Sequence, residues 1–178
     1  LPGSVIFKNG AEQKASLNYN SSNQQILFIG NQQYLQLDQL ELIDYVKIGS
    51  IKFLPIENRF YEETDSKEVF ISYSNYIVAR SVGSDKGSTS LRNAGEVNNT
   101  ANVYYNGNFK NQNAIALQKV YWINNGQGLK RLISIEDFAK VFDAKKAQVK
   151  EFIKNNSFNY NTTADVLHLI DFLESNHQ

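Results

Sequence analysis

For roughly its first three quarters the chain alternates short apolar runs with clusters of Gly, Asn, Asp and Ser, the pattern of strands joined by turns. Ser4–Lys8 is extended and apolar, and Asn9-Gly10 behind it predicts a hairpin in which both residues take positive φ. The return, Glu12–Tyr19, is polar and reads as an edge strand. A loop over Asn18–Gln25 leads to the apolar run Ile26–Ile29, stopped by Gly30-Asn31, and Tyr34, Leu35 and Leu37 continue in a weaker strand. Gly49-Ser50 between Tyr45–Ile48 and Ile51–Leu54 suits a type II′ turn. That turn sets Ile48 against Ile51 and Val46 against Phe53 on the buried face. Lys47 then opposes Lys52 on the other face, which is unfavourable unless the two lean apart into solvent or a carboxylate such as Glu62 or Glu63 intervenes.

Arg59–Thr64, Val69–Tyr73 and Tyr76–Ala79 read as further strands, with turns at Asp65-Ser66-Lys67 and Ser74-Asn75. The pattern then lapses from Arg80 to Asn102, where composition favours a mobile loop. Val103–Tyr105 and Leu117–Ile123 return to strand character. The second becomes apolar on both faces towards its end, which predicts a strand covered on both sides. Asn125-Gly126-Gln127-Gly128 turns the chain into Leu129–Ile133.

The last quarter changes period. Ser134 stands three residues before Asp137, a capping-box spacing that opens a helix at Ile135 with Phe138, Val141 and Phe142 on its apolar face. Asp143 is placed to cap a second helix from Ala144 to about Asn155, and Thr162 with Asp165 a third from Thr163 to about Asn176. Val166, Leu167, Leu169, Ile170 and Leu173 give the third a broad apolar stripe. The class expected is α+β: an antiparallel β-meander sheet, open or curled into a barrel or sandwich, with two to three short C-terminal helices. All 178 residues are expected in one domain, with a β-rich part over 1–133, the mobile loop at 80–102 and a helical part over 134–178.

Composition narrows the chemistry. With 18 basic and 18 acidic residues the chain is neutral, which argues against a nucleic-acid partner. It holds no Cys, so disulfides, thiolate catalysis and cysteine-ligated metals are excluded. No apolar run reaches the eighteen or so residues needed to span a bilayer. Asn and Gln make up roughly a fifth of the chain, far above average usage. An amide-rich surface suits an extracytoplasmic protein, and an AT-rich genome would inflate the same residues. Leu1-Pro2-Gly3 reads as the interior of a longer frame, from which a secretory signal has been removed, and a lipid tether ahead of it is compatible with the sequence.

Several segments together carry a resemblance. Val5-Ile6-Phe7-Lys8-Asn9-Gly10, Lys52-Phe53-Leu54-Pro55-Ile56 with Arg59-Phe60-Tyr61-Glu62, Val120-Tyr121-Trp122-Ile123, and the closing helices with Phe152-Ile153-Lys154 are similar in order and spacing to a group of uncharacterised secreted proteins of Bacteroidetes. Where those often read Leu-Lys-Gly after the first turn, this chain has Gln13-Lys14-Ala15. The resemblance implies a periplasmic, secreted or outer-membrane-associated protein of a Gram-negative bacterium, and brings no functional residue with it.

Candidate chemistry is sparse. His168 and His177 are the only histidines, His168 reads as a partly buried helix residue, and no Gly-x-Ser-x-Gly elbow accompanies them. Gly83-Ser84-Asp85-Lys86-Gly87-Ser88-Thr89 has phosphate-loop residue types without the phosphate-loop order. Glu62, Glu63 and Asp65, with Glu68, form the one dense acidic cluster: a solvated turn, or a loose Ca²⁺ site without EF-hand spacing. Glu57 with Glu62, or Glu41 with Glu62, would be the carboxylate pair of a glycosidase-like hydrolase. Tyr104-Tyr105-Asn106-Gly107-Asn108-Phe109 mixes aromatic faces with amides, so Tyr104, Tyr105, Asn106 and Phe109 are candidate ligand contacts. Phe28, Phe53, Phe70 and Phe152 read as core. The function expected is a non-catalytic extracytoplasmic module, using no cofactor and binding a protein, peptide or glycan. The alternatives are a carboxylate-dependent hydrolase and a structural part of a cell-envelope assembly.

Overall fold

A computed structural model describes residues 1–30, 33–66, 68–79, 90–93 and 114–176. The architecture is α+β, as the two hydrophobic periods predict: an antiparallel sheet with three helices at the C-terminal end of the chain. The strands are β1 (Pro2–Phe7), β2 (Glu12–Asn20), β3 (Gln25–Gly30), β4 (Gln33–Gln36), β5 (Ile43–Ile48), β6 (Ile51–Ile56), β7 (Arg59–Glu63), β8 (Val69–Ala79), β9 (Ser90–Asn93), β10 (Ala114–Asn124) and β11 (Leu129–Leu132). The helices are α1 (Ile135–Val141), α2 (Lys146–Asn155) and α3 (Thr163–Ser175). Ten strands follow one open path, β11-β10-β8-β7-β6-β5-β1-β2-β3-β4, and β9 pairs with β8.

The II′ turn at Gly49 (φ +61°) forms the predicted register, Ile48 to Ile51, Lys47 to Lys52 and Val46 to Phe53. Val46 and Phe53 are buried. The opposed lysines do not simply lean into solvent. Lys52 Nζ reaches Glu63 of the adjacent strand β7 at 2.8 Å, and lies 4.7 Å from the centre of the Tyr45 ring. The pair is half-exposed, so its worth is about 1 kcal/mol or less.

Other local expectations give way to tertiary pairing. At the first hairpin only Gly10 takes positive φ (+82°). Phe7 accepts from the Gly10 N–H and donates to the Ala11 carbonyl, a three-residue loop closed by a glycine bulge. β2 is an edge only over its first half: among the described residues Glu12–Ser16 pairs with β1 alone, while Leu17–Asn20 pairs with β3. Ser74-Asn75 does not turn, because β10 pairs with β8 continuously from Val69 to Val78 and carries the strand through. Glu57 and Asn58, both at positive φ, make the β6–β7 turn without a glycine. Within the expected 80–102 loop, residues 90–93 form β9, and the rest lies outside the described residues. So does Val103–Tyr105.

One face of the sheet carries two cores. Along β1, β2, β3, β5, β6 and β7 it buries Val5, Leu17, Ile26, Ile43, Val46, Ile48, Phe53 and Phe60. This part curls over itself. Tyr19 of β2 stacks on Phe53 at 4.9 Å, and the Phe60 N–H donates to the Gln24 carbonyl at 2.8 Å, tying the β2–β3 turn to β7. Along β8, β10 and β11 the same face carries Val69, Ile71, Tyr121, Ile123 and Leu132 beneath the helices, against Phe138, Val149, Phe152, Val166, Leu169 and Leu173. β10 also buries Val120 on the opposite face, where Trp122 donates to Ser72 Oγ at 2.8 Å. The expectation of a strand buried on both faces therefore holds.

Ser134 caps α1 in a full capping box with Asp137. Desolvation works against the Asp137 anion, but N–H groups of Ile133 and Ser134 and the Ser134 hydroxyl outweigh it and lower its pKa. Asp143 does not cap α2. It takes positive φ (45°) just after α1, where the Ala144 N–H donates to the Ala139 carbonyl, and α2 starts three residues on, with Gln148 accepting from the Lys145 N–H. α3 spans nearly its predicted range, but Thr162 makes no side-chain cap, and Asp165 accepts from the Asn159 N–H instead.

Candidate functional site

Two features on the inner face could engage a ligand. The first is a cavity of about 260 Å³ between the curled sheet and the segment crossing beneath it from β4 to β5. Alternation places Val5 and Phe7 of β1, Ala15 and Leu17 of β2 and Phe28 of β3 on this face, because each strand presents every second residue to it. Leu37, Leu42 and Ile43 close the other side. Gln13, Asp38, Gln39 and Leu42 are exposed and form the rim. Gln39 takes positive φ (49°), and that residue turns the chain into the single 3₁₀ turn Leu40–Leu42 that carries Leu42 to the rim. The lining is thus apolar, with two amides and one carboxylate at the opening, the usual make-up of a binding pocket. A wider depression of about 670 Å³, bordered by Pro2, Ser4, Lys14, Ser16 and Lys47, is open and offers lysine stems, serine hydroxyls and backbone rather than enclosing walls.

The second feature is a polar seam where the two cores meet. Tyr73 of β8 donates a short hydrogen bond to Glu62 of β7. Tyr19 donates to the Phe60 carbonyl at 3.3 Å and meets the Tyr73 ring edge-on at 5.9 Å. Lys119, opposite Tyr73 in the sheet, donates to Thr163 Oγ1 at 3.0 Å at the start of α3, and Tyr121 reaches the same hydroxyl at 3.4 Å. Burial raises the pKa of Tyr19, Tyr73 and Tyr121, and the nearby Glu62 carboxylate adds to the rise in each. These phenols stay protonated donors. The seam has its polar groups paired across five elements, β2, β7, β8, β10 and α3, and joins the curl to the helical layer.

The predicted site residues fare unevenly. Glu62 and Glu63 are neighbours on β7 and so point to opposite faces, Glu62 to Tyr73 and Glu63 to Lys52. Asp65 is exposed in the following turn. Among the described residues no group of three His, Cys, Asp or Glu side chains stands where it could hold a metal ion. Glu57 and Glu41 are exposed, on the β6–β7 turn and the 3₁₀ turn. Tyr104, Tyr105, Asn106 and Phe109 lie outside the described residues, as do His177 and the 83–89 segment. His168 is exposed on α3, its ring centre 5.1 Å from that of Phe152 in an edge-to-face contact, rather than partly buried. The cavity residues escaped the sequence reading. Alternation marks Val5, Ala15, Leu17 and Phe28 as one-faced, but nothing local says that residues 37–43 cross beneath them.

Comparison with protein-family models, with curated proteins and with solved structures gave no match. No helix among the described residues is long and apolar enough to cross a membrane.

Proposed function

We propose that this chain is a non-catalytic extracytoplasmic binding module whose ligand site is the cavity under the curled sheet. The observation that carries the reading is the combination of apolar walls with a rim of Gln13, Asp38 and Gln39. At about 260 Å³ the space sits just below the usual range for small-molecule pockets, and fits one or two large apolar side chains or a small aromatic molecule. The amides and the carboxylate at the opening would orient whatever polar group stays in water. Placement in the periplasm, in the medium or at the outer membrane rests on the resemblance to secreted Bacteroidetes proteins.

The test is uptake of an environment-sensitive apolar dye, 1-aminoanthracene, followed by fluorescence and displaced by small aromatic or branched aliphatic competitors. Saturable uptake that is lost when Ala15 is enlarged supports the reading. Uptake unchanged by substitutions at Ala15 and Phe28 would place the dye elsewhere and end it.

A further inference from the structure

The sheet has two outer strands at the ends of its path, and they are finished differently. β11 carries Lys130 and Arg131, charges of the kind that discourage strand addition. β4, Gln33-Tyr34-Leu35-Gln36, carries no charge and no proline, and all four residues are exposed. The Leu37 N–H donates to the Ile26 carbonyl, and in the β3 register Leu35 opposes Phe28. Leu35 and Leu37 therefore turn their backbone groups towards β3, and Tyr34 and Gln36 turn theirs outwards. Among the described residues nothing pairs with that edge. Exposed apolar side chains flank it on both faces: Leu35 on the cavity side, and Ile29 and Tyr34, directly opposite one another, on the other.

We propose that β4 takes a short extended peptide as an added antiparallel strand, apolar at its centre and cationic at its N-terminal end. This deepens the reading of the cavity as a binding site. The two outward residues, Tyr34 and Gln36, offer two N–H donors and two carbonyl acceptors to main chain of any sequence. Alternate peptide side chains would lie beside Leu35 and Leu37 on one face and beside Tyr34 and Ile29 on the other, so apolar residues suit both. Leu37 also lines the cavity, which puts the first of these faces next to its opening. Charge selects the end. Asp38, just beyond β4, is the single ionisable side chain in the cavity lining, is exposed, and has no ion-pair partner among the described residues. An antiparallel peptide brings its N-terminal end to that carboxylate. A second copy of the chain fits less well: a four-residue strand with three exposed apolar neighbours falls short of the about 800 Å² per partner that a stable interface buries.

The experiment measures fluorescence polarisation of a labelled hexapeptide, Lys-Val-Phe-Val-Thr-Val, with the full chain. Gln36→Pro removes one outward N–H and leaves the β3 ladder intact, since that N–H makes no bond to β3. Saturable binding is expected, weakened at least tenfold by Gln36→Pro at unchanged melting temperature. It should weaken several-fold, with loss of salt dependence, in Asp38→Asn. Of two peptides N-methylated at alternate amides, only the one whose methyl groups face β4 should lose affinity, a result that does not depend on any protein variant. Binding indifferent to Gln36→Pro and to both methylation patterns would overturn the proposal. So would dimerisation of the unliganded chain that Gln36→Pro abolishes, which would assign the edge to a second copy. If 1-aminoanthracene enters the cavity but the peptide does not bind, strand addition fails and the cavity reading stands; if neither binds, both fail.

Discussion

Enlarging Ala15 to leucine separates a true internal space from a well-packed core. Ala15 is half-buried in β2, faces the cavity, and sits opposite Gly3, so its side chain meets no bulky cross-strand neighbour. Leucine adds three carbon atoms. Full burial would contribute at most about 2.4 kcal/mol at ~0.8 kcal/mol per methylene. Partial exposure of the site halves that, and fixing the leucine rotamer costs about 0.5–1 kcal/mol. The expected net change is a stabilisation of about 0.5 kcal/mol, with neutrality as the lower bound. Were the space already filled, overpacking would cost about 1–3 kcal/mol. The sign therefore decides. Urea denaturation followed by tryptophan fluorescence reads it, because Trp122 lies in the other half of the sheet and reports global unfolding without touching the cavity. The same variant should lose dye uptake. A loss of more than about 1 kcal/mol, at unchanged slope with denaturant, would refute both the cavity and the packing argument.

Three further outcomes are expected. Glu62→Gln and Tyr73→Phe should each destabilise, and their double-mutant cycle should show coupling of about 1 kcal/mol: the charge-assisted bond favours a larger value and its half-exposure a smaller one. Coupling below about 0.3 kcal/mol would mean the bond is not formed in solution. Gly3→Ala should cost about 2 kcal/mol, since the added Cβ would stand 2.5 Å from the Lys47 carbonyl oxygen and 2.8 Å from Leu17 Cδ1, and backbone cannot move aside cheaply; a melting temperature equal to that of the unaltered chain would contradict that contact. Finally, burial raises the pKa of Tyr19, Tyr73 and Tyr160. The unfolded phenols ionise near pH 10 while the folded ones keep their protons, so stability holds below pH 10 and falls as pH rises above it. Unfolding free energy measured from pH 9 to 11.5 should decline with a slope that Tyr160→Phe reduces by one proton, and a flat profile would show the three hydroxyls to be solvated.

Much of the architecture is local and so was readable. The II′ turn at Gly49-Ser50, the Val46–Phe53 register, the capping box at Ser134 and the α3 stripe each depend on residues within about ten positions of one another. Backbone preference and alternation act over that range. The α+β class follows, because a change of hydrophobic period along a chain dictates which segments can bury a face and which a stripe. Where local and distant signals compete, the distant ones win. Ser74-Asn75 is a good turn by composition, yet the ladder to β10 holds it straight, and polar β2 gains β3 as its second neighbour through a hairpin that its own residues do not announce.

The functional surfaces belong almost wholly to that second class. Glu62 stood out in the sequence for its acidic neighbours, but strand alternation sends Glu63 and Glu62 to opposite faces and leaves Glu62 with Tyr73. The cavity exists because β2 and β3 curl until Tyr19 lies on Phe53 and the chain between β4 and β5 passes beneath, an arrangement set by the sum of many apolar contacts. No short segment encodes that sum. What the sequence determined alone was which elements form and which face each one hides; which hidden faces meet, and the gap left where they do not quite meet, was decided only when the curled part of the sheet and the segment beneath it packed together.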